Sequence, residues 1–230
     1  MTLRKLNIYP DLPLKQKVNN SELSLEALKP DIRDLIDTIK HYEGNSFLTT
    51  NQIGLTSRIA VLDLQSIFQK QFKEEERYLV MINPEVVEAS SNKISIQETS
   101  ISTPDFQCTT SKSASVKLKF DKIVFKTIVD ETPQNEIEEN QNEVKVINTK
   151  LDFDNFEFES SEITFWERLA FVSQAAIDQL NGKCYLDTVS WYNRESFIKK
   201  RRKTVNQFKS WVKSSLMNTR THGGKLKNAR

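Results

Sequence analysis

The stretch from Glu162 to Leu180 restricts the possible folds more than any other part of the chain. Phe165, Trp166, Leu169, Ala170, Val172, Ala176, Ile177 and Leu180 recur along it at spacings of three and four, and Asn181-Gly182 follows. That periodicity predicts a helix closed by a residue that takes positive φ without steric cost. A helix with so little polar surface must be buried, so the other elements have to be arranged around it.

Those elements read mainly as strands. Arg58–Leu64 (RIAVLDL) and Tyr78–Asn83 (YLVMIN) are rich in β-branched residues and predict core strands, with Asn83-Pro84 turning the chain into Glu85–Ala89. Lys93–Gln97, Ser115–Phe120, Ile123–Ile128, Glu143–Ile147 and Lys150–Phe158 alternate apolar with polar side chains, which suits antiparallel strands with one wet face. Near the start, Leu25, Leu28, Ile32, Leu35, Ile36 and Ile39 mark an amphipathic helix over Ser24–Tyr42, with Ser24 as a cap and Gly44 as the stop. Residues 129–144 are acidic and almost without apolar side chains, which predicts a solvated loop at a hairpin tip. The expected class is α+β, with mostly antiparallel sheets around a central helix.

Composition excludes several alternatives. Apolar residues make up 37% and charged residues 28%, a globular balance, and no run reaches the roughly 18 apolar residues of a membrane span. With no apolar signal core behind Arg4 and Lys5, a cytoplasmic protein is expected. Cys108 and Cys184 are too few and too far apart for a disulfide framework or a zinc finger.

Charge is unevenly divided. Of 33 Lys/Arg residues, twelve fall between Arg194 and Arg230, against one of the 31 acids, Glu195. This predicts an acidic body over residues 1–193 and a basic C-terminal helix and tail over 194–230. Within the tail, Lys199, Lys200, Arg201, Arg202, Lys203, Lys209 and Lys213 are candidate contacts for nucleic acid, since clustered cations bind phosphate through counterion release.

Three segments carry candidate chemistry: Asn45–Gln52 (NSFLTTNQ), Glu98–Ser102 (ETSIS) and Gln174–Lys183 (QAAIDQLNGK). In their order and spacing they resemble the motifs GxGxAAxQ, EGCLS and QHExDHxxG of the peptide deformylases, over about residues 3–205. The resemblance implies the deformylase fold, with Gln52 as the amide that donates to the formyl oxygen, Glu98 and Asp178 as supporting carboxylates, and a basic C-terminal helix that docks on the ribosome.

The same resemblance shows departures. Ser100 stands where the family has a metal-binding cysteine, Ala175 and Gln179 where it has histidines, Ala176 where it has the glutamate, and Phe47 where it has a glycine. A hydroxyl and an amide are weak neutral ligands and alanine offers none, so neither a metal nor any other cofactor is expected. Losing the general acid/base adds to this. The expectation is therefore a protein that is not an enzyme, with a binding or scaffold role near the ribosome, through rRNA or a ribosomal protein, or on nascent peptides. The alternatives are a metal-dependent hydrolase with relocated ligands, for instance Cys108 or Cys184, and a nonfunctional relict. Ser100 lacks a neighbouring base and is expected to be inert as a nucleophile. His41 and His222 lie away from all three motifs.

Overall fold

The run IAVLD folds as a strand in which every residue is buried, and the layering of the molecule follows from it. The structure, a computed structural model, describes residues 3–22, 24–128 and 150–204. The elements are α1 (Leu25–His41), β1 (Phe47–Thr49), β2 (Ile59–Asp63), α2 (Leu64–Phe68), α3 (Glu74–Arg77), β3 (Tyr78–Ala89), β4 (Lys93–Thr99), β5 (Gln107–Ser113), β6 (Ser115–Ile128), β7 (Lys150–Trp166) and α4 (Glu167–Leu180). A further helix, α5, covers residues 191–204. The chain divides into two units, Met1–Tyr185 and Leu186–Arg230.

Five strands pair antiparallel in the order β1-β2-β3-β6-β7, and β4-β5 form a separate antiparallel ladder. Side chains alternate along a strand, so β2 serves two cores. Ile59 and Val61 pack with Leu28, Ile32, Leu35, Ile36 and Ile39 of α1. Ala60 and Leu62 pack with Ala170, Phe171, Ala175, Ala176, Ile177 and Leu180 of α4. The α+β class and the central helix are as the periodicity predicts. Among the described residues, no helix is long and apolar enough to cross a membrane.

Several boundaries differ from expectation. The helix predicted over Glu162–Leu180 begins only at Glu167, because residues 162–166 extend β7 and pair with Lys119 through Ser115 of β6. The change of direction falls on Glu167, which takes φ 50° and whose N–H donates to the Ala114 carbonyl at 2.7 Å. Asn83-Pro84 is a bulge inside one long strand, β3, instead of a turn. Asn83 (φ 50°) shifts the register to β6, and its side-chain amide pairs with both backbone groups of Ser21. The two strands expected at 115–120 and 123–128 are one, β6. Ser24 occupies the N-cap position of α1 without a capping bond from its side chain. The acidic segment at 129–144 and the strand expected at Glu143–Ile147 lie outside the described residues.

The end of α4 follows the Asn181-Gly182 signal. Lys183 N–H donates to the Asp178 carbonyl and Gly182 N–H to the Gln179 carbonyl, the paired bonds of a Schellman turn, with Gly182 at φ 73°. A Cβ on Gly182 would lie 2.6 Å from the Lys15 carbonyl oxygen, so glycine is also what lets the N-terminal segment cross here. Gly182→Ala combines a strained φ with a backbone clash and should lower stability by about 2 kcal/mol. Urea unfolding of the full chain measures this, and a loss under half of that figure would contradict the close approach.

Candidate functional site

The first motif forms a turn that builds its own cap. Thr49 precedes the 3-10 turn Thr50–Ile53, and the reciprocal bonds of a capping box join Thr49 to Gln52. Gln52 Oε1 accepts from the Thr49 backbone N–H and from Thr49 Oγ1, both at 2.9 Å. With its oxygen fixed there, the Gln52 Nε2 group points the other way, donating to Ser102 Oγ at 3.0 Å and to Ser100 Oγ at 3.3 Å. Gln52 is fully buried. Its amide thus ties the first motif to the second.

The second motif is held in place from its far side. Ser102 N–H donates to Ser100 Oγ at 3.2 Å, Thr103 N–H to the Ser100 carbonyl at 2.9 Å, and Tyr9 N–H to the Ser102 carbonyl at 2.9 Å. Thr103 Oγ1 and the Tyr185 hydroxyl are 2.5 Å apart, and Tyr185 also donates to the Phe106 carbonyl. Burial pushes the Tyr185 phenol well above its ordinary range, so it stays a neutral donor.

The carboxylates of the second and third motifs meet across one lysine. Lys112 Nζ lies 2.7 Å from Asp178 Oδ2 and 3.9 Å from Glu98 Oε2, with the Phe171 ring below it at 5.7 Å. Thr110 Oγ1 donates to Glu98 Oε2 at 2.5 Å. Glu98 is buried, and desolvation raises its carboxyl above the usual carboxylate range despite the opposing effects of Lys112 and Thr110. One turn before Asp178 on α4, Gln174 donates to the Ser113 carbonyl and accepts from the Ser113 N–H, fastening β5 to α4.

The remaining motif positions are not brought together for chemistry. Ala175 and Ala176 lie within the apolar cluster under α4. Phe47 packs into that same cluster. Gln179 is buried and donates from Nε2 to the Leu14 carbonyl at 3.2 Å, while its backbone carbonyl accepts from Asn51 Nδ2 at 2.7 Å. These residues do not fit the family's metal. Ser100 has both lone pairs taken by N–H donors, the Gln179 amide is spent on the N-terminal segment, and Ala175 has no donor atom. Among the described residues no group of three or more His, Cys, Asp and Glu stands ready to hold a metal ion, and burial together with Glu98 keeps the Cys108 thiol above its ordinary value.

Of the predicted nucleic-acid contacts, Lys199, Lys200, Arg202 and Lys203 are exposed on α5 and Arg201 is half-buried there. Lys209, Lys213 and His222 lie outside the described residues. Sequence reasoning missed Ser102, Thr103 and Tyr185 as parts of the site. The Thr49-x-x-Gln52 capping signature was available to locate the turn; no spacing signal points to Tyr185.

A family model for polypeptide deformylase matches residues 3–135, more than half of the chain. "Peptide deformylase" of Buchnera aphidicola subsp. Acyrthosiphon pisum is 27% identical over 200 residues, 87% of this chain and 91% of that protein. "Peptide deformylase 3" of Shewanella oneidensis is 27% identical over 203 residues, 88% of this chain and 99% of that protein. Among solved structures, a peptide deformylase from Legionella pneumophila superposes with a TM-score of 0.63 at 23% identity, covering 92% of this chain and 98% of its own, a likeness of fold. The relatives correct the expectation that the chain is not an enzyme: proteins named peptide deformylase align with nearly all of it and point to an enzyme. Three missing side-chain types describe four positions, and the expectation extended them to the whole protein.

Proposed function

Because the chain belongs to the polypeptide deformylase family, we propose that it recognises the N-terminal end of nascent polypeptides at the cytoplasmic ribosome. The observation that carries this reading is the convergence of Gln52, Ser100 and Ser102, three uncharged polar side chains at the family's motif positions. A few placed polar groups are what an orienting peptide site needs. The relatives' name supplies the ligand class, a peptide whose terminal nitrogen bears a formyl group. The ribosomal part rests on charge: the five consecutive cations Lys199–Lys203 begin a basic tail whose attraction for phosphate falls steeply with salt.

Co-sedimentation of the full chain with ribosomes tests the placement. Reversing the charge of Lys199, Lys200, Arg201, Arg202 and Lys203 together should weaken pelleting about a hundredfold, and raising salt from about 50 to 200 mM should weaken the unaltered chain in the same direction. Binding indifferent to both changes would exclude the tail as the contact. Formate release from formyl-Met-Ala-Ser, followed in the same samples, reads turnover directly.

A further inference from the structure

Ser100 has a more restricted capability than a serine hydroxyl usually has. A hydroxyl oxygen offers two lone pairs and one proton. At Ser100 both lone pairs accept, one from Gln52 Nε2 at 3.3 Å and one from the Ser102 backbone N–H at 3.2 Å. Its proton has no acceptor among the described residues, and the residue is only half-buried. Ser102 Oγ also accepts from Gln52, at 3.0 Å, but Ser102 is only 1% exposed and therefore enclosed. Ser100 is thus the point at which this polar group can reach a ligand, and it can reach it only by donating.

Gln52 explains why this role falls to the serine. Its oxygen is held by Thr49 and its two N–H bonds are both spent on hydroxyls, so it has no free donor of its own. It acts through Ser100, and donation into an oxygen strengthens that oxygen's own O–H as a donor. The three groups are uncharged, so they match an uncharged carbonyl oxygen. A carboxylate or a terminal ammonium would be left without a countercharge there.

Resting on the reading that this site takes peptide N-termini, we infer that the Ser100 hydroxyl donates the hydrogen bond that recognises the acyl oxygen on the terminal nitrogen of a formylated peptide. Gln52 is then a positioning residue, and Ser100 sets the preference for an acylated over a free amino terminus.

Titration calorimetry of the full chain with formyl-Met-Ala-Ser and with Met-Ala-Ser tests this. The unaltered protein should bind the formylated peptide more tightly. Ser100→Ala should weaken the formylated peptide about five- to tenfold, the size of one hydrogen bond, leave the free-amine peptide unchanged, and so remove the preference. Ser100→Thr, which keeps the hydroxyl, should retain it and shows that the loop still forms. Equal weakening of both peptides by Ser100→Ala, or no weakening, would overturn the role of Ser100 while leaving peptide recognition standing. If the unaltered protein binds both peptides equally, the acyl preference falls and the site remains a peptide site. If it binds neither, both the inference and the proposed function fail.

Discussion

Placing a glutamate at Ala176 should cost the body of the protein about 4 kcal/mol at neutral pH, although the family carries a glutamate at this motif position. Ala176 is fully buried, in one cluster with Phe47, Leu62, Met81, Leu118, Phe120 and Phe171. The larger side chain has to displace close-packed neighbours, and its carboxylate would be taken out of water beside apolar side chains. A carboxyl so placed takes a folded-state pKa above its unfolded value of about 4.3. A raised pKa means the penalty is smallest when the group is protonated and grows as pH rises through the folded value, so the variant should recover stability between pH 7 and pH 5. Ala176→Gln, with the size but not the charge, should lose less at pH 7 and show no such recovery. Urea unfolding at both pH values separates the two terms, and an Ala176→Glu variant within 1 kcal/mol of the unaltered protein would show that this part of the helix does not face the cluster.

The second large effect is expected at Lys112. Replacing it with methionine keeps the aliphatic stem and removes the cation shared by Glu98 and Asp178. Asp178 is 40% exposed and water replaces most of what it loses. Glu98 is buried and, among the described residues, retains only the Thr110 bond, so the expected cost is about 3 kcal/mol, that of stranding one partner of a buried pair. The Glu98 carboxyl is already raised by burial in the unaltered protein. A raised group contributes stability below its unfolded pKa and loses it as pH rises through the folded value. Removing Lys112 raises Glu98 further, so the difference between variant and parent should shrink on acidification. Glu98→Gln in the Lys112→Met background should restore most of the loss at pH 7. If the double variant is no more stable than the single one, the stranded carboxylate is not the cause.

The parts of the fold that the sequence made legible are those where periodicity and burial coincide. β2, the apolar half of β3 and most of α4 are buried on nearly every side and read as continuous apolar runs. What escaped depended on distant partners. Residues 162–166 fit a helical spacing, and only their pairing with Ser115–Lys119 makes them strand. β5 (QCTTSKS) has hardly any apolar alternation, and its ladder with β4 together with the Gln174 bonds to Ser113 defines it. At the site, Gln52, Glu98 and Asp178 were identifiable because the motif order locates them. Their present partners were less so: hydroxyls 48 and 50 residues from Gln52, or a lysine 66 residues from Asp178, leave no local pattern. The step from missing ligands to a missing activity was the weakest, since residue types at four positions bear on one constellation only.

The β4–β5 ladder lies outside the five-stranded sheet, and the site divides along that line. Ser100 and Ser102 follow β4, whereas Gln52 follows β1 in the main sheet. The two hydroxyl bonds of one amide therefore double as the latch between a small hairpin and a large body. At the opposite end of the ladder Ser113, paired with Lys93, is clasped to Gln174 of α4, so the hairpin is fastened to the body at both of its ends.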